Sequence, residues 1–175
     1  MNAAEETAAE ARTVPVLQAR VLRFIAKRLE DSAVDWVVTG SMGMALQGVP
    51  FEVHDIDIQT DHAGAYQVEA RLMEFVVTPV RYTVSERIRS HLGELEVEGV
   101  RVEIMGGIEK LIEGVSEPPV DVRDHRCWVA LNDVRVPVLS LEYECEAYLK
   151  LGRAEKAEAL RAWLGERVEK GRSVS

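Results

Sequence analysis

Cysteine is nearly absent. Cys127 and Cys145 are the only two, and they show no Cys-x-x-Cys spacing. That argues against a disulfide framework or a cysteine-rich zinc site and makes a reducing, cytoplasmic setting the expectation. Long apolar runs are also missing: none approaches the roughly 18 to 20 residues that a membrane-spanning helix needs, so no membrane partner is expected. The opening MNAAEETAAEAR has neither the basic start nor the apolar stretch of a secretory signal. Residues 1–13 read as a flexible tail, and residues 14–170 as one domain. Positive charge is scarce too, with 21 Lys and Arg against 30 Asp and Glu, a formal net charge of −9. Nucleic-acid binders draw most of their affinity from neutralising phosphates, so duplex DNA is not an expected partner. A nucleoside triphosphate bound by so acidic a chain would need a cation beside it, and a divalent metal is the natural one.

What is present is a mixed α and β pattern. From Val14 to Leu29, apolar residues recur at Val16, Leu17, Val21, Leu22, Ile25 and Ala26, the period of an amphipathic helix. Val34–Thr39 is a short β-branched and aromatic run that reads as a buried strand. Gly40-Ser41 then opens a short helix that Gly48 and Pro50 stop. His54–Thr60 (HDIDIQT) alternates acid and aliphatic residues as a half-buried strand does, and residues 64–75 read as helical. Glu94–Val97 and Val100–Met105 flank Glu98-Gly99, while Trp128–Leu131 and Val134–Val138 flank Asn132-Asp133; both are hairpin patterns. Residues 114–124, with Pro118-Pro119, read as a loop. Helices over 140–151 and 154–167, broken at Gly152, finish the chain.

In a strand, residues i and i+2 share a face. Asp55 and Asp57 therefore project together, with Ile56 and Ile58 turned to the core. Paired carboxylates repel unless a cation or water intervenes. Magnesium suits such a pair, because it takes one or two carboxylates together with substrate phosphates. Upstream, Val37-Val38-Thr39-Gly40-Ser41 reads as strand, tight turn and helix start, a place where backbone can approach a phosphate closely. Downstream, Val100, Val102 and Ile104 share one face, leaving Arg101 and Glu103 on the other. If that strand lies beside the one carrying Asp57, Glu103 completes a three-carboxylate site; Glu96 and Glu98 are the competitors.

Gly40-Ser41, then Asp55-Ile-Asp57, then a later strand acid at Glu103 resembles the nucleotidyltransferase superfamily of the DNA polymerase β type. The stretch Pro137-Val-Leu-Ser140-Leu-Glu and the basic segment Lys150-Leu-Gly-Arg153-Ala-Glu-Lys156 are similar to the C-terminal helices of its small members, the antibiotic and toxin-type nucleotidyltransferases. The resemblance spans roughly residues 34–164. It implies an α+β fold, a nucleotidyltransferase-like mixed β-sheet flanked by helices, with C-terminal helices. It also implies transfer of a nucleoside monophosphate from an NTP to an acceptor. Gly40 and Ser41 would hold the triphosphate, Asp55 and Asp57 would bind Mg2+, and Glu103 would assist the metal or act as base. Lys150 would contact phosphate. The chain departs from the family pattern where Phe51-Glu-Val-His54 precedes the acids and where Ala157 follows Lys156, differences that bear on substrate more than on fold.

The remaining conspicuous residues read as structural. His54 is expected on the face opposite Asp55, buried or at the strand edge. His62, His91 and His125 lack the spacing of a metal site. Trp36, Trp128 and Trp163 are expected in the core, and Met42, Met44 and Met105 either line a pocket or fill gaps. Two functions stay open: an active, metal-dependent enzyme acting on a small molecule, a protein or an RNA end, or the same fold kept as a non-catalytic binding module. With little chain to spare for a separate acceptor domain, the acceptor pocket is expected from the C-terminal helices or from the second subunit of a homodimer.

Overall fold

The computed structural model describes residues 14–172; the expected N-terminal tail lies outside them. Helix α1 (Val16–Leu29) is followed by β1 (Trp36–Thr39), the short α2 (Gly40–Leu46), β2 (Ile56–Thr60) and α3 (His62–Arg71). Strands β3 (Val76–Val84), β4 (Ile88–Val97), β5 (Val100–Ile112) and β6 (Val115–Glu117) come next. The hairpin β7 (Arg126–Leu131) and β8 (Val134–Leu139) and the helices α4 (Leu141–Lys150) and α5 (Ala154–Arg172) complete the chain. The strands form one mixed sheet in the order β3-β4-β5-β2-β1-β8-β7, with β6 paired to β5. The expected α+β class, with a mixed sheet and C-terminal helices, is the fold observed.

Both hairpins turn where the sequence places them. Glu98 and Gly99 have φ of 50° and 78° and Asn132 has φ of 53°, the left-handed backbone that two-residue hairpin loops require. β2 lies antiparallel to β1 and parallel to β5, with Asp57 opposite Thr39 on one side and Glu103 on the other. Its aliphatic alternates, Ile56 and Ile58, are fully buried with Val102 and Ile104. They pack against Leu22, Ile25 and Leu29 of α1 and Val68 of α3. One face of the sheet is thus the main core, and the opposite face carries the acids. A second apolar cluster docks the C-terminal helices, uniting Met44 and Val49 with Leu141, Cys145, Tyr148, Ala157 and Leu160.

Three expectations change. Residues 114–124 are not all loop: Val115–Glu117 pairs with β5, and Val122–His125 forms a 3-10 turn capped by the Asp121 side chain. Trp128 is 49% exposed, because β7 is the sheet's last strand and its outer face has no helix over it. Arg126 and Arg135 cover the ring instead, at 5.0 and 5.3 Å from its centroid. His54 lies before β2 begins and is exposed beside Glu52, at 3.2 Å. Trp36 is buried, Trp163 packs on the second cluster, and Met42 and Met44 are core. Among the described residues no helix is long and apolar enough to cross a membrane.

Leu160 is fully buried between α5 and the rest of the fold. Leu160→Ala is expected to cost about 2 to 5 kcal/mol, measured by urea unfolding.

Candidate active site

A cleft of about 270 Å³ opens between the acidic face of the sheet and the C-terminal helices. Its lining includes Gly40, Ser41, Asp57 and Glu103. The β1–α2 turn forms one wall. Gly40 has φ of 66°, and a Cβ there would run into Asp57 Oδ2, so both the backbone and the space demand glycine. On its other side the Gly40 amide donates to Glu144 Oε1 at 2.8 Å, and the same oxygen accepts from the Thr39 hydroxyl. The turn is clasped between a carboxylate of β2 and a carboxylate of α4.

Asp57 is a strongly perturbed acid of the cleft. Burial, then the charges of Glu103, Asp55 and Glu144, push its pKa up to about 6, with Arg101 pulling the other way. Arg101 alone meets three of the surrounding acids. Its guanidinium reaches Glu94 at 2.8 Å, Glu103 at 3.0 Å and Asp55 at 3.5 Å. Asp55 is more exposed and precedes the first residue of β2. Glu144 is only 4% exposed; burial raises its pKa, while the bonds from Thr39 and Gly40 lower it.

The structure therefore gathers Gly40, Ser41, Asp57 and Glu103 in the cleft, with Asp55 just outside its lining, held near Glu103 through Arg101. Among the described residues no three acids close tightly enough to enclose a metal, since Arg101 draws Glu103 and Asp55 to itself. The Asp55–Asp57 pair nonetheless fits a hard divalent cation: Asp57 is half-buried, crowded by like charge, and has no ion-pair partner among the described residues. Lys150 is not brought to the cleft. It is exposed at the last turn of α4, with Nζ 3.1 Å from Glu117. Beyond it Gly152, with φ of 72°, reverses the chain. That turn lets Arg153 and Lys156 line the cleft instead, their charges 6.0 and 5.7 Å from the Tyr148 ring centroid.

Sequence reasoning missed Glu144, Tyr148, Lys110 and Tyr143, and it passed over Arg153 and Lys156 in favour of Lys150. Met105 lines the cleft. His62 and His91 stack at 3.8 Å, but they lie on the other face of the sheet, where His91 pairs with Gly106 in the phase of buried Ile104.

The aminoglycoside-2''-adenylyltransferase family profile matches residues 21–162. The chain belongs to that family. A provisional nucleotidyltransferase from Thermotoga maritima, TM1012, with a crystal structure at 1.87 Å, is 55% identical over 87% of this chain and 96% of its own, with a TM-score of 0.78. The antibiotic-resistance factor ANT(2'')-Ia, solved in solution, shares 15% identity over 91% of this chain and 97% of its own, with a TM-score of 0.53. At that identity the likeness shows the fold alone. No curated protein sequence matches the chain. Family membership makes this adenylyltransferase-family protein an enzyme of the nucleotidyltransferase type.

The raised pKa of Asp57 carries a stability consequence. Between about pH 4 and 6 the unfolded chain has released this proton and the folded one retains it. Above about pH 6 both are ionised and the folded state bears the full repulsion, so this contribution to stability falls as pH rises through that window. Asp57→Asn is therefore expected to stabilise the metal-free protein by about 1 to 2 kcal/mol at pH 7.5. The gain should vanish near pH 4, read from thermal melts in chelating buffer.

Proposed function

We propose that this chain is a magnesium-dependent nucleotidyltransferase that moves a nucleoside monophosphate, adenylyl by family affinity, from a nucleoside triphosphate to an acceptor hydroxyl. The observation that carries the reading is the half-buried, crowded Asp57 beside a glycine turn, with Arg153 and Lys156 lining the same cleft. Buried like charges are costly. A cation with a triphosphate relieves that cost, and a plain structural cleft would not retain it.

In this account Asp55 and Asp57 hold the metal, whose chemistry is to offset phosphate charge and stabilise an in-line displacement. Gly40 and Ser41 present the turn to the triphosphate, with no side chain at residue 40 to block close approach. Arg153 and Lys156 bind the phosphates from the helix side. Glu103, held in orientation by Arg101, accepts the acceptor's hydroxyl proton as that oxygen bonds to the α-phosphorus and pyrophosphate departs. Glu144 is a positioning residue: it keeps the Gly40 turn in place through the Thr39 hydroxyl and the Gly40 amide.

Calorimetric titration with ATP, GTP, CTP and UTP, with and without magnesium, tests the reading. Magnesium-dependent binding is expected, weakened at least 50-fold in Asp55→Asn/Asp57→Asn. Equal binding by wild type and that double variant, or no binding of any nucleotide, would contradict it.

A further inference from the structure

The inner end of the cleft is built unlike its mouth. Lys110 is only 8% exposed, and among the described residues no carboxylate lies within ion-pair distance of it. Its Nζ donates to the Tyr143 hydroxyl at 2.7 Å and lies 4.9 Å from that ring's centroid. A buried ammonium with one neutral partner lacks the compensation that buried charge needs. Tyr143 is itself fixed, stacked on His125 at 4.1 Å and 23°. Gln59 is 7% exposed and lies two residues beyond Asp57 on the same strand face. Among the described residues its amide makes no side-chain hydrogen bond, yet it lines the cleft.

Lys110 reaches this place through a bulge. Between the pairs His91–Gly106 and Arg89–Glu109, β4 advances two residues while β5 advances three. One extra residue flips the alternation. Before the bulge Glu103 and Met105 face the cleft; after it, Ile108 and Lys110 do.

The polar groups left over are mostly donors. The ammonium keeps two N–H groups, the phenol can donate once it has accepted from Lys110, and Gln59 offers its amide. Such a set suits an oxyanion and opposes an ammonium. Lys110 stands seven residues beyond Glu103 on β5, whereas Arg153 and Lys156 already face the carboxylate end. We propose that Gln59, Lys110 and Tyr143 form an oxyanion subsite that receives the carboxylate or phosphate of the second substrate. The acceptor is accordingly a molecule that bears a carboxylate or phosphate group. The subsite stands on its geometry; its assignment to the acceptor rests on the nucleotidyltransferase reading above.

The test is a titration of ¹⁵N-labelled protein with inorganic phosphate, alone and with a non-hydrolysable ATP analogue plus magnesium at saturation. Amide signals of Gln59, Lys110 and Tyr143 should shift in wild type under both conditions. Lys110→Met should weaken phosphate binding at least tenfold and leave analogue affinity within threefold, while Lys110→Arg retains phosphate binding. Tyr143→Phe, which keeps the ring, should weaken it by a smaller factor. Absence of phosphate shifts at these residues in wild type overturns the subsite. Loss of phosphate binding once the analogue is bound, or a tenfold loss of analogue affinity in Lys110→Met, assigns the subsite to the nucleotide and overturns the acceptor assignment. Failure of the analogue to bind wild type, with phosphate shifts intact, overturns the nucleotidyltransferase reading and the acceptor assignment but not the oxyanion subsite.

Discussion

Gly40 is clasped between two carboxylates that reach it from distant parts of the chain, and the cleft depends on that clasp. On one side Asp57 Oδ2 occupies the space a side chain would need; on the other the Glu144 carboxylate takes the Gly40 amide and the Thr39 hydroxyl. The contact ties β1, β2 and α4 together at one point. It also holds α4 over the acidic face of the sheet, so the C-terminal helices become a wall of the cleft. The cost is electrostatic. A half-buried and a buried carboxylate share one turn, with Glu103 and Asp55 close by; Arg101 offsets part of the repulsion at Asp57, and Lys156 and Arg153 part of it at Glu144. The folded chain carries an unmet demand for positive charge at this place, and the proposed metal and nucleotide site is one answer to it.

The same cleft is polar along its length. Acids crowd the turn, Arg153 and Lys156 face them from α5 and the segment before it, and Lys110 lies at the inner end with no carboxylate in ion-pair distance among the described residues. Complementary charge fixes the orientation of a ligand more than it adds affinity. A metal-bound triphosphate at the acidic end and the acceptor's carboxylate or phosphate at the inner end would satisfy both ends together. This arrangement is compatible with the overall charge of −9, since Lys110, Arg153 and Lys156 supply positive charge locally within the cleft.

Much of this was legible in the sequence where the physics is local. The alternation of His54–Thr60 identified the face of Asp57, because a strand with one buried side admits only one phase. The pairs Glu98-Gly99 and Asn132-Asp133 gave both hairpins, because their turns need left-handed backbone. Glu144 stayed hidden because it lies in a helix whose neighbours read as an ordinary amphipathic pattern, and its partner is 104 residues away. Lys110 stayed hidden because the alternation that predicts a strand face fails at a bulge, and nothing before Gly106-Gly107 announces that the phase will flip. Lys150 drew attention as the first cation of a basic segment. The turn at Gly152 sends the next two cations to the cleft in its place. Trp128 shows the limit of reading aromatics as core: its strand is the last of the sheet, and only the strand order reveals that.

The most direct test of the central claim is the carboxyl pKa of Asp57, followed by ¹³C chemical shift in metal-free protein and again with magnesium and an ATP analogue. The account predicts titration at about 6 in the metal-free protein and a clear fall when cation and nucleotide are bound. An ordinary value near 4, unmoved by magnesium and nucleotide, would contradict it.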